Sequence, residues 1–134
     1  MSHIDASRRR LQWAVAVMGA VPTVSAVGEI TRGAQGVPGG SPEVTPTVDS
    51  SLRYANVFKL AWGVTVWSQL HRVERSPALT GSLATLFVGG LARLRSWRQS
   101  GRPHPVSIVA VALELVAPPA LLAWQRRVAS RSTP

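Results

Sequence analysis

Glu114 is the only charged residue between Pro103 and Gln125, in a stretch that is otherwise largely apolar. An isolated carboxylate is not sustained in a low-dielectric setting, so Glu114 must be paired or protonated. Lys59 and Arg93 are the two cations whose surroundings make them candidate partners. Glu114 sits in the series Ser107, Ala110, Glu114, Ala117; Lys59 in Arg53, Asn56, Lys59, Gly63; Arg93 in Ser82, Thr85, Gly89, Arg93. Each series recurs at helical spacing and makes one small or polar face, and we expect the three faces to converge. Two chemistries follow for a polar cluster of Glu114, Lys59, Arg93, Arg53 and Asn56. It either fixes helix register as a buried ion pair, or it forms a pocket, richer in positive charge, for a proton, a carboxylate or an anionic headgroup.

Other chemistry finds little footing. The chain has no Cys, which removes disulfides, thiolate metal sites and a cysteine nucleophile. His3, His71 and His104 fall in a tail and in two connections on opposite sides, so no shared metal or haem site is expected, and no cofactor. No Gly-rich phosphate loop follows a strand, and no Ser-His-Asp set shares a depth. The formal charge of +9 would suit nucleic acid if the basic residues formed a continuous stripe. Instead they punctuate apolar stretches, as at Arg8-Arg9-Arg10 and Arg126-Arg127, where anionic lipid headgroups are the fitting counterpart.

The elements that must position these residues are apolar segments long enough to cross a bilayer. Leu11 to Gly28 carries no charge, and roughly 18 residues at 1.5 Å rise span about 27 Å, close to the hydrocarbon thickness. The whole chain, 1–134, reads as a single all-α membrane domain, an integral four-helix bundle with antiparallel neighbours. Its helices are expected at 11–29, 52–71, 77–97 and 104–126. Residues 30–50 are expected to form a Gly/Pro-rich loop between the first two helices. Pro77 and Pro105 stand where a helix begins, a position that tolerates a missing N–H. By rise per residue, Glu114 lies about 15 Å and Lys59 about 12 Å below the starts of their helices, so a direct Lys59–Glu114 pair is geometrically reasonable.

Aromatic placement agrees with this scheme, because Trp and Tyr favour the headgroup level. Trp13, Trp67 and Trp124 fall at one face, Tyr54 and Trp97 at the other, and Trp62 alone is left mid-membrane. Arg8 to Arg10, Arg72, Arg75, Arg126, Arg127 and Arg131 favour both termini on the cytoplasmic side, while Arg93, Arg95, Arg98 and Arg102 oppose that bias. Two rival readings of the same stretches stay open. One is a soluble helical bundle; the other takes the N-terminal Arg cluster and apolar run as a secretion signal.

Several motifs carry a resemblance: Tyr54, Gly89-Gly90-Leu91-Ala92-Arg93, Gly101-Arg102-Pro103-His104-Pro105, and Leu113-Glu114-Leu115-Val116-Ala117-Pro118-Pro119. From Asp49 to Val128 the chain resembles a bacterial family of small four-helix membrane proteins, domain of unknown function 4345. The first helix matches it by position only. The resemblance implies a multi-pass protein of the bacterial inner membrane and picks out Arg53, Arg93, Arg102, His104 and Glu114 as matching positions. Such chains carry an acid two positions before the Arg that opens helix two. Here Ser51 stands there, and Asp49 is the nearby acid, which makes Asp49 an outer-face candidate with Arg102 and His104. The family has no activity to carry over.

The expectation is therefore a non-enzymatic accessory, scaffold or lipid-binding subunit. Its partners would be the bilayer, other membrane subunits or anionic lipid. The alternative is a small carrier or membrane enzyme that works through the Glu/Lys/Arg cluster.

Overall fold

The computed structural model describes residues 3–131, with side chains from Asp5 onward, so the side chain of His3 lies outside it. The chain forms four helices: α1 (His3–Arg32), α2 (Pro46–Ser68), α3 (Pro77–Ser100) and α4 (Pro105–Arg131). Short 3-10 turns at Gly33–Gly36 and Leu70–Arg72 follow α1 and α2.

Three helices start in the same way. Pro46, Pro77 and Pro105 each open a helix, where the absent N–H would have had no partner. The residue before each supplies a side-chain cap. Thr45 Oγ1 accepts from the Val48 N–H (3.3 Å), Ser76 Oγ from Leu79 (3.1 Å), and His104 Nδ1 from Val106 (3.3 Å). At the other ends, α1 stops at Gly33, with φ 59°, and α3 at Gly101, with φ 93°, a left-handed backbone that glycine adopts most readily.

Each helix runs past at least one of its expected limits, although α2 stops at Ser68, short of 71, where a 3-10 turn takes over, and the loop expected at 30–50 shrinks to residues 37–45. Apolarity marks the part of a helix that meets lipid, but backbone hydrogen bonds continue until a cap or a glycine ends them. The Thr45-Pro46 start was hidden inside a Gly/Pro-rich stretch, so α2 begins six residues earlier than expected.

α1 and α2 form one antiparallel hairpin, α3 and α4 the other, and the hairpins meet through α1–α4 and α2–α3. Buried residues of α1 recur as Leu11, Val15, Gly19, Thr23, Ala26 and Glu29, a single helical stripe. That stripe faces α2. A Cβ on Gly63 would run into Thr23, and one on Gly19 would stand 3.0 Å from the Trp67 indole nitrogen. Small residues thus let the two backbones approach closely.

The hydrophobic core gathers at one end. Leu11 and Val15 of α1, Val66 of α2, Val73 of the connection, Leu79 and Leu83 of α3, and Leu121 and Val128 of α4 form one cluster. Polar links lace the same end: Trp124 Nε1 donates to Ser7 Oγ (3.1 Å), Gln125 Nε2 to the Val73 carbonyl (2.8 Å), and Gln12 Nε2 to the Leu70 carbonyl (2.7 Å). Trp62, left mid-membrane by the sequence pattern, donates to the Ser82 carbonyl at 3.0 Å and ties α2 to α3.

Much of the outer surface is apolar. Trp13, Val17, Val21 and Val24 of α1, Val57, Phe58 and Val64 of α2, Val88 of α3, and Val109 and Val116 of α4 are all exposed. Three helices, α1, α3 and α4, are long and apolar enough to cross a membrane. α2, expected as a fourth, falls short because Arg53, Asn56 and Lys59 interrupt its apolar run.

Candidate functional site

The hairpins leave a cleft of about 250 Å³ between them, which starts beside the core at Ala14 and Met18 and runs towards the other end of the bundle. Ala14, Met18 and Pro22 of α1, Leu86 of α3, and Ala110 and Leu113 of α4 wall it, and Lys59, Arg93 and Glu114 give it a charged end. Glu114 is held there by a close crossing of α3 and α4, since a Cβ on Gly90 would stand 2.9 Å from the Glu114 Cβ. Gly89, by contrast, faces open space, so only the second glycine of the pair serves helix contact.

The expected partners of Glu114 separate. Arg93 Nε lies 3.3 Å from Glu114 Oε2, an ion pair in which Arg93 is 46% exposed and Glu114 17%. Lys59 lines the same cleft, but its Nζ is 2.9 Å from Oε1 of Glu29 on α1 and donates a hydrogen bond to it. The direct Lys59–Glu114 pair is thus replaced by Lys59–Glu29, because Lys59 faces its antiparallel neighbour α1. Glu29 had no place in the sequence reading, which ended the apolar run at Gly28. The signal was present: Glu29 continues the Thr23, Ala26 stripe in phase once α1 is allowed to run on to Arg32.

Glu29 also changes the charge balance. Two cations, Lys59 and Arg93, now face two carboxylates, Glu29 and Glu114, so the cluster has no surplus positive charge. Glu114 Oε2 is buried and accepts no hydrogen bond among the described residues. Arg93 Nε approaches this same oxygen at 3.3 Å, so the contact is an ion pair without a well-formed hydrogen bond.

Arg53 and Asn56, expected in the cluster, do other work. Arg53 Nη1 donates to the Ile30 carbonyl (2.6 Å) and its Nε to Asp49 Oδ2 (2.7 Å), while Asp49 Oδ1 accepts from the Ala34 N–H (3.0 Å). This pair closes the C-terminal end of α1, where free carbonyls favour a cation. The hydrogen bonds from Arg53 and the Ala34 N–H hold the Asp49 carboxyl, in the first turn of α2, below its usual range. Asn56 is buried and donates to the Leu52 carbonyl within its own helix (2.9 Å).

The outer-face candidates lie beside the cleft's end. Arg102 lines a second hollow of about 300 Å³ with Arg93, Trp97 and Ser107. His104 caps α4, and Gly39 of the α1–α2 connection, with φ 74°, rests against it; a Cβ there would stand 3.0 Å from the His104 Cβ. No cluster of three or more His, Asp or Glu able to hold a metal occurs among the described residues.

One family model, described as Domain of unknown function (DUF4345), matches the chain over residues 10–125. The chain belongs to this family. No curated protein and no solved structure matches it significantly. The DUF4345 match takes in all four helices, including the first, which had matched by position only. It covers Glu29, Lys59, Arg93 and Glu114, whereas Arg8, Arg126, Arg127 and Arg131 lie outside it.

Proposed function

We propose that this protein is a non-enzymatic, multi-pass membrane protein that holds one amphipathic lipid molecule in the cleft between its hairpins. The observation that carries the reading is the make-up of that cleft: an apolar wall closed at one end by Lys59, Arg93 and Glu114, with a buried Glu114 oxygen that is ion-paired to Arg93 but accepts no well-formed hydrogen bond. Such a mix, mostly apolar with a few convergent polar groups, is the usual composition of a small-molecule site. At roughly 30 Å³ per water-sized group, the cleft admits on the order of eight such groups, which is one narrow chain segment. The chain would lie against Met18, Leu86 and Leu113, and a donor on the head, such as a hydroxyl, would complete Glu114. The balanced charges of the cluster favour a neutral head over an anion.

A bilayer setting follows from the apolar surface of all four helices. In it α2 crosses as well, with Lys59 neutralised by Glu29, and both termini lie on the cytoplasmic side.

Native mass spectrometry of the full chain released from a mild detergent tests the reading. The wild type is expected to retain one lipid-sized molecule, and Ala110→Phe, which fills the cleft, to release it while keeping its helical content. A wild type that stays empty in every lipid supplied, or an Ala110→Phe variant that still carries the molecule, would overturn it.

A further inference from the structure

A second groove lies at the other end of the molecule, between α1 and α4, and it has the opposite electrostatic character. It measures about 510 Å³, and Ser7, Ala120, Ala123, Trp124, Arg127 and Arg131 line it. No carboxylate does among the described residues. Arg127 and Arg131 stand one turn apart on the same face of α4, and neither forms an ion pair among the described residues. Arg8, Arg53 and Arg93, by contrast, are each matched to an acid.

The hydroxyl of Ser7 adds a polar group at the groove, its oxygen accepting from the Trp124 indole N–H at 3.1 Å. Two guanidinium groups and a hydroxyl therefore line one groove without a counter-charge among its described lining residues. Below them Ala120 and Ala123 are short side chains that leave the wall of the groove open along the α1–α4 seam. The indole at its mouth is the side chain that settles at the level of lipid headgroups.

We infer that this groove binds the phosphate of an acidic phospholipid, with Arg127 and Arg131 on the phosphate oxygens and an acyl chain laid over Ala120 and Ala123. Guanidinium pairs bind phosphate through charge-assisted hydrogen bonds, and each such cation near a membrane surface contributes about fivefold in affinity. Free phosphate shares the headgroup chemistry but has no chain for the alanine wall, so the lipid is the occupant. The inference stands apart from the cleft, whose cluster is charge-balanced and takes a neutral head.

The test uses the full chain in phosphatidylcholine nanodiscs with phosphatidylglycerol added, reading bound lipid by native mass spectrometry. One phosphatidylglycerol is expected on the wild type, with affinity roughly thirtyfold lower in an Arg127→Gln/Arg131→Gln double variant. Arg127→Lys/Arg131→Lys keeps the charge and is expected to keep most of the binding, which separates loss of the site from loss of the fold. Arg95→Gln/Arg98→Gln removes the same charge from α3 at the opposite end, outside the groove, and is expected to bind as the wild type does. Equal loss in both Gln doubles would reduce the site to diffuse surface charge and overturn the inference. So would equal retention of phosphatidylcholine, or full competition by inorganic phosphate at the lipid's own concentration.

Discussion

The two ends of this bundle are built from the same four helices but solve different problems. At the closed end, Leu11, Val66, Leu79, Leu83 and Leu121 interlock, and side chains such as Gln125 and Trp124 donate to acceptors on neighbouring elements. At the open end the hairpins part, Glu114 keeps a buried oxygen without a well-formed hydrogen bond, and a cleft takes the place of a core. In the bilayer setting proposed above, helix packing would gain little from the hydrophobic effect, because the tails are as apolar as the side chains. Close fit and interhelical hydrogen bonds would then hold the hairpins together. The closed end has both and the open end lacks them, which leaves the open end free to take a ligand.

The contrast is broken most directly by removing side chains of equal size from each end. Leu79→Ala, within the closed-end cluster, is expected to cost about 3 kcal/mol, in the range for a buried Leu that leaves a cavity. Leu113→Ala, half exposed at the cleft, is expected to cost well under about 1 kcal/mol. Unfolding by denaturing detergent, followed by circular dichroism, reads both. Equal costs would mean that the two ends are packed alike.

Glycines sharpen the same comparison. Gly63→Leu drives a side chain into Thr23 on α1 and is expected to cost about 2 kcal/mol or to prevent the hairpin from closing. Gly89→Leu meets no neighbour and is expected to be neutral or mildly stabilising, since leucine is the better helix former. The same unfolding titration would show the pair; a costly Gly89→Leu would place an unexpected contact on that face of α3.

The legible and illegible parts of the sequence follow this division. Helix number and order were readable, because long apolar runs separated by Pro and Gly leave few other solutions in lipid. The Arg93–Glu114 proximity was readable too, since both lie on small-residue faces of adjacent antiparallel helices. Two things were not. Helix ends depended on caps at Thr45, Ser76 and His104, which add no hydropathy signal. The partner of Lys59 depended on which neighbour it faces, and a face pattern on one helix does not state which other helix it meets. Glu29 stayed hidden because it sits one residue beyond the apolar run, although it shares the buried stripe of α1.

Acid separates the ends through a smaller effect. Glu74, in the connection beside the core, pairs with Arg8 at 2.9 Å. Burial alone raises its pKa, but the hydrogen bonds from Arg8 and from its own backbone, with the charges of Arg8 and Arg75, outweigh that and hold it below the usual range. A lowered native pKa gives stability that is present above the unfolded value and fades as pH falls through the native one. Stability is therefore expected to drop as the pH goes below the ordinary carboxylate value of 4.5. The drop is about 0.5 kcal/mol, since Arg8 is partly exposed and solvent screens the pair. Glu74→Gln is expected to flatten that part of the profile in unfolding titrations at stepped pH; an unchanged slope would remove the Arg8–Glu74 pair from the closed end's stability.

A small effect on stability belongs to Glu114→Gln, and its smallness is the point. Removing one member of a buried ion pair ordinarily strands the other, at a cost of several kcal/mol. Here the member left behind is Arg93, whose side chain is nearly half exposed and so is not stranded in a closed interior. The glutamine fits the same space and carries no charge, so unfolding is expected to move by no more than about 0.5 kcal/mol. Arg93→Gln is the harsher change, because it strands the more deeply buried Glu114, and about 1–3 kcal/mol is expected there. That order, Arg93 costing more than Glu114, is what an open end built around an incompletely bonded carboxylate requires. If Glu114→Gln destabilised the protein as much as Leu79→Ala, the carboxylate would be a structural anchor equal to the core. The cleft would then be no more free to exchange a ligand than the closed end is.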